Sequence, residues 1–88
     1  VSVHAVAGVT AKVLPDGRLR LRSRRTGVVV HCPPRQAAMW IALSQHNGDQ
    51  TAAADMLAGI WEVDPAAMRA DFHLWIDEMR SAGLLEEL

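Results

Sequence analysis

The chain has a single cysteine, Cys32, so no internal disulfide framework can staple it. Its apolar neighbours make that thiol a reduced, core-filling one. No apolar run approaches the roughly 20 residues of a membrane span. No signal peptide stands at the start, and the expectation is a cytoplasmic protein. His4, His31, His46 and His73 are far apart and show no metal-ligand spacing with each other or with Cys32. No glycine loop is spaced to cradle a phosphate. No Ser or Cys nucleophile sits in a recognisable motif. Asp77 and Glu78 diverge by about 100° on a helix, so they are not a paired acid and base. Nothing meets the geometry an active site needs, and the expectation is a protein that is not an enzyme and uses no metal or cofactor.

What is present is a short chain with a real core and divided charge. Its 88 residues make one domain at most, and half of them are hydrophobic. A domain this small buries a modest share of its surface and is only modestly stable. Residues 1–35 carry Lys12, Arg18, Arg20, Arg22, Arg24, Arg25 and Arg35 against Asp16 alone. Residues 36–88 carry Arg69 and Arg80 against nine acids. The net charge of −1 therefore hides a basic front and an acidic back.

Residues 1–7 carry no turn or cap signal and are expected to form a flexible N-terminus, with a single domain over 8–88. Val9, Ala11 and Val13 suggest a first strand at about 8–14. Pro15-Asp16-Gly17 is a reverse turn: Pro presets φ, Asp bonds the turn backbone and Gly takes positive φ. Arg18-Leu19-Arg20-Leu21-Arg22 alternates cleanly, with the leucines inward. Arg25-Thr26-Gly27 turns the chain again into a strand over Val28–Cys32, stopped by Pro33-Pro34. Its apolar residues do not alternate with polar ones, which predicts cover on both faces. The three strands form a meander, leaving one edge of the last strand free for another chain.

Helical spacing follows. Met39, Trp40 and Leu43 share a face of a helix at about 34–45. Asn47-Gly48 breaks it, and Asp49 caps a second helix with Ala53, Met56, Leu57 and Ile60 on its apolar face. Asp64-Pro65 starts a third helix, with Asp64 as N-cap and Pro65 at the first helical position. It runs to about Ala82, with Gly83 as C-cap. At 100° per residue, Met68, Phe72, Trp75, Ile76 and Met79 form its core stripe. Arg69, His73, Asp77 and Arg80 lie opposite. Ala67, Asp71, Leu74 and Glu78 form a flank beside the core. The fold class is α+β and winged-helix-like: a three-stranded antiparallel meander, then three helices.

This order, with these landmarks, resembles the PqqD-like family, the leader-peptide-binding domains (RiPP recognition elements) of ribosomally made and modified peptides. The resemblance runs nearly without gaps from about Leu14 to Leu85. It rests on Asp16-Gly17, Thr26-Gly27, the Pro34 break, Trp40 and Val63-Asp64-Pro65. It continues through Arg69-Ala70-Asp71, Trp75-Ile76, Met79 and Gly83-Leu84-Leu85. No single element is specific; the ordered set at family-like spacing carries the resemblance. The chain departs from the pattern at Val28, Val29 and Val30, where the family often has aromatics. It departs again at Pro33 and Arg35, where the family often has Asn before the proline and Thr after it, and at Trp61, where a Tyr is frequent.

The resemblance implies a non-catalytic domain that takes up the leader of a precursor peptide as a fourth strand. The leader would then pack between the third strand and the third helix. The edge would be Val28, Val29, Val30, His31 and Cys32. The helix wall would be Ala67, Asp71, Leu74 and Glu78, with Trp75 as floor. Arg24 and Arg25 near the turn would meet leader carboxylates. Among family members, the chain looks most like the stand-alone binding subunit of lasso-peptide pathways. Its implied partners are then a leader-cleaving cysteine protease and an asparagine-synthetase-like cyclase. A chaperone for the precursor of pyrroloquinoline quinone is the alternative within the family. The alternatives outside it are a DNA-binding winged helix and a dimerisation module. The acidic third helix argues against DNA, since a helix approaching phosphates should be basic. No nucleic acid and no membrane is an expected partner.

Overall fold

A computed structural model describes residues 2–88. Eight elements follow one another: β1 (Val3–Ala5), β2 (Val9–Val13), β3 (Leu19–Ser23), β4 (Val29–Cys32), α1 (Pro34–Gln45), α2 (Gln50–Trp61), α3 (Pro65–Ser81) and β5 (Leu85–Glu87). The chain is α+β, with the antiparallel meander β2-β3-β4 followed by three helices.

Local chemistry sets these elements. Asp16 Oδ1 accepts the Arg18 N–H at 3.0 Å, and Gly17 sits at φ +88°, which closes the first hairpin. Pairing then runs from Val13↔Leu19 to Val9↔Ser23. The second hairpin turns through Gly27 and pairs Arg22↔Val29 to Leu19↔Cys32. Pro34 opens α1, where its missing N–H costs nothing. Asp49 caps α2 by accepting from Ala52 at 3.0 Å, and Asp64 caps α3 by accepting from Ala67 at 3.1 Å.

The core lies between one face of the meander and the three helices. The α3 stripe Met68, Phe72, Trp75, Ile76 and Met79 is buried, as its periodicity predicts. It shares the core with Leu19, Leu21 and Cys32 of the sheet, Met39 and Leu43 of α1, and Leu57 of α2. The opposite sheet face carries exposed Lys12, Arg20 and Arg22.

Three expectations are corrected. The predicted flexible N-terminus over 1–7 contains β1, which pairs antiparallel with β5 through Val3↔Glu87, His4↔Glu86 and Ala5↔Leu85. Val1 lies outside the described residues. Val3 is only 3% exposed, and its N–H donates to the Gly48 carbonyl at 2.9 Å. A Cβ on Gly48 would come within 2.5 Å of the Val3 carbonyl oxygen, so β1 can dock only against a glycine.

The last meander strand is covered on one face, not two. Cys32 is buried and Val30 half-buried, whereas Val28, Val29 and His31 are exposed. All three helices pack on one side of the sheet, so the outward residues of β4 join its solvated basic face. The third correction concerns α2. Its buried side is Ala53, Ala54, Leu57 and Ala58, whereas Ile60 is 64% exposed. The alanines let the helix approach its neighbours closely, which turns Ile60 away. No helix is long and apolar enough to cross a membrane.

Candidate functional site

β4 is an edge strand, because the sheet order ends on it. In an antiparallel ladder, opposed residues alternate between pairs that exchange hydrogen bonds and pairs that do not. Ser23 donates to the Val28 carbonyl at 2.9 Å, which sets the phase of that alternation. Val30 and Cys32 therefore spend their backbone groups on Leu21 and Leu19, while the Val28 carbonyl accepts from Ser23 and its N–H donates to Thr26 Oγ1 at 3.3 Å. Val29 and His31 turn theirs outward. The edge offers two N–H donors and two carbonyl acceptors to an incoming strand. It ends at Pro33, which has no N–H and whose carbonyl already accepts from Gln36 and Ala37.

Beyond the end of β4 a groove of about 290 Å³ opens between the first turns of α1 and the flank of α3. Pro33, Arg35, Gln36 and Met39 line one side, and Asp71, Leu74, Trp75 and Glu78 the other. Leu74 is 62% exposed, an apolar side chain at the lip rather than in the core. Trp75 is held as a floor by edge-on contacts to Trp40 and Phe72, with centroids 6.5 and 6.2 Å away. Such packing fixes the indole in one orientation.

Charge in the groove is partly spent. Arg35 Nη2 lies 2.6 Å from Asp71 Oδ2, and its guanidinium sits 5.4 Å from the Trp61 ring centroid. Burial pushes the Cys32 thiol up from its ordinary value, the Trp75 indole N–H opposes that rise, and the Glu78 carboxylate adds to it. Trp75 Nε1 has no partner that meets full hydrogen-bond geometry among the described residues. These contacts tie the inner end of β4 to the middle of α3.

The predicted site residues divide clearly. Asp71, Leu74, Trp75 and Glu78 come together in the groove, and Val29 and His31 form the edge of the strand that runs into it at Pro33. Val30 and Cys32 do not offer backbone groups, since β3 uses them, and the Val28 groups are spent on Ser23 and Thr26. Cys32 is also buried and presents no surface. Ala67 is exposed but lies outside the groove, because it sits in the first turn of α3 with its N–H on the Asp64 cap. Arg24 and Arg25 are exposed at the β3–β4 turn, at the far end of β4 from the groove. Sequence reasoning missed Arg35, Gln36 and Met39 as groove residues. The sharp Pro33-Pro34 exit, which aims the start of α1 at α3, was the available signal.

A second cleft, of about 220 Å³, lies between β1, β5 and the end of α1. Trp40, Leu43, Asn47 and Gly48 help line it, and His4 is its one titratable side chain. The β1 and β5 strands that flank it are only three residues long each. Among the described residues no cluster of His, Cys, Asp or Glu is arranged to hold a metal ion. No protein-family model, curated protein or solved structure matches the chain.

Proposed function

We propose that the chain is a non-catalytic cytoplasmic binding protein that captures an extended peptide by adding it as a strand to β4. The peptide class is the leader of a ribosomal precursor, which the domain delivers to a leader-cleaving cysteine protease and an asparagine-synthetase-like cyclase. The observation that carries this reading is the free Val29–His31 edge, on a strand that runs into the Leu74–Trp75 groove at Pro33. An edge of this kind supplies main-chain hydrogen bonds, and a neighbouring apolar groove reads alternate side chains. The resemblance to the PqqD-like family supplies the leader as the occupant. A leader disordered on its own spends several kcal/mol on ordering, so sub-micromolar binding needs both the edge and the groove.

One observation favours a second reading. Lys12, Arg20, Arg22, Arg24 and Arg25 have no acidic partner among the described residues. A solvated basic sheet can meet a phosphate backbone. The third helix, with Asp71, Asp77 and Glu78, would repel one. Titration of the protein with the leader encoded beside it, and with random duplex DNA at two salt concentrations, separates the readings. The peptide reading expects leader binding at both salts. Salt-sensitive DNA binding without leader binding would replace it.

A further inference from the structure

Two acids line the groove, and only one of them is neutralised. Asp71 accepts from Arg35 at 2.6 Å. Glu78 has no ion-pair or hydrogen-bond partner among the described residues. Its field nonetheless reaches inward, since it helps raise the Cys32 thiol. The other groove residues, including Gln36, Leu74 and Trp75, are neutral. The unpaired cations sit on the outer sheet face and the β3–β4 turn. The groove therefore holds one uncompensated charge, and it is negative.

A strand added to β4 sends every second side chain to the groove side, the side of Val30 and Cys32. Successive groove-facing side chains are about 6.6 Å apart. Leu74 and Glu78 are one helical turn apart, a rise of about 6 Å. For a strand lying along α3 the two spacings match. One groove-facing side chain meets Leu74 and Trp75, and the next meets Glu78.

We propose that the peptide accepted here carries a lysine or arginine two residues from an apolar side chain, with the cation on Glu78 and the apolar group on Leu74 and Trp75. This rests on the strand-addition reading and adds a charge requirement to it. Arginine suits the position best, because its planar fork can bind a carboxylate through two N–H groups.

A display library of random dodecapeptides, selected on the intact protein, tests this. Selected peptides should share a basic residue two positions from an apolar one. Exchanging that basic residue for glutamate in a synthetic selected peptide should weaken binding about fivefold, as for a partly exposed ion pair. Glu78→Lys should restore the exchanged peptide, and Glu78→Gln should abolish the preference without reversing it. Glu78 is exposed, so both variants should fold, which circular dichroism checks. Peptides that lose binding with Val29→Pro but show no basic preference, or a preference unchanged in Glu78→Lys, would overturn the charge requirement while leaving strand addition standing. Failure to select any peptide, or binding untouched by Val29→Pro, would overturn strand addition and this inference with it.

Discussion

Arg35 and Asp71 face each other across the groove, joined at 2.6 Å from the first turn of α1 to the middle of α3. The same guanidinium covers Trp61, so one side chain links the three helices. Both partners are about half exposed, which limits what the pair contributes. Arg35→Ala should lower stability by about 1 kcal/mol, the upper range for exposed pairs. For a domain of this size that is a fall of about 4–8 °C in Tm, measured by thermal unfolding. Trp61 fluorescence should shift red as its ring gains water. An unchanged Tm and spectrum would mean that Arg35 is not seated there in solution.

The small second sheet makes its own prediction. Gly48 combines φ +86° with a backbone oxygen where a Cβ would go. Gly48→Ala should cost more than about 1 kcal/mol in denaturant unfolding, from strain and from displacement of β1. Hydrogen exchange should then speed up at Val3, whose amide donates to Gly48. Wild-type exchange at Val3 as fast as in a free chain would contradict the docking of β1 on Gly48.

Leu74 separates binding from folding. It is 62% exposed, so Leu74→Asp should change stability by no more than about 0.5 kcal/mol. It should weaken leader binding at least tenfold, because a charged carboxylate replaces the apolar contact that meets the peptide's apolar side chain. Calorimetric titration of the folded variant reads this directly. Equal affinity would remove α3 from the site.

Cys32 gives a pH signature. Burial holds its folded thiol above the ordinary value of 9.0. An acid raised on folding stays protonated in the native state while the unfolded chain ionises. Stability is therefore full below about pH 9 and declines as pH rises from there through the folded thiol's higher value. Cys32→Ser should flatten that alkaline decline, followed by denaturant unfolding between pH 8 and 10. Alkylation by iodoacetamide should be slow in the native protein at pH 8.5. Rapid labelling would mean that the strand end opens.

Much of this was legible in the chain. The meander, three helix starts and the α3 core stripe all follow from turn residues, caps and periodicity, because each is a local signal. β1 was not, because three residues without a turn or cap have no local mark. Their strand exists only because Gly48 and Leu85 are brought beside them by the rest of the fold. The expected double cover of β4 failed for a related reason: Val29 looks like core, but topology puts every helix on the other face. The groove was half legible. The helix wheel found Asp71, Leu74 and Glu78, but it could not place Arg35 opposite them, since that depends on how α1 leaves Pro33. Ala67 shared their face yet belongs to the helix start.

The central claim is that β4 donates backbone hydrogen bonds through Val29. Because that N–H points away from β3, Val29→Pro removes an edge donor without breaking the ladder, a place where an edge strand tolerates proline. The meander has a second free edge on β2, where the Leu14 bond to Arg18 at 2.7 Å sets the phase and turns the Ala11 N–H outward. Ala11→Pro is thus the matched control on the edge without a groove. Titrating both variants with the leader, with circular dichroism to show intact folds, is the most direct measurement. The expected result is a loss of at least tenfold with Val29→Pro and unchanged affinity with Ala11→Pro. Wild-type affinity in a folded Val29→Pro variant would contradict strand addition at β4.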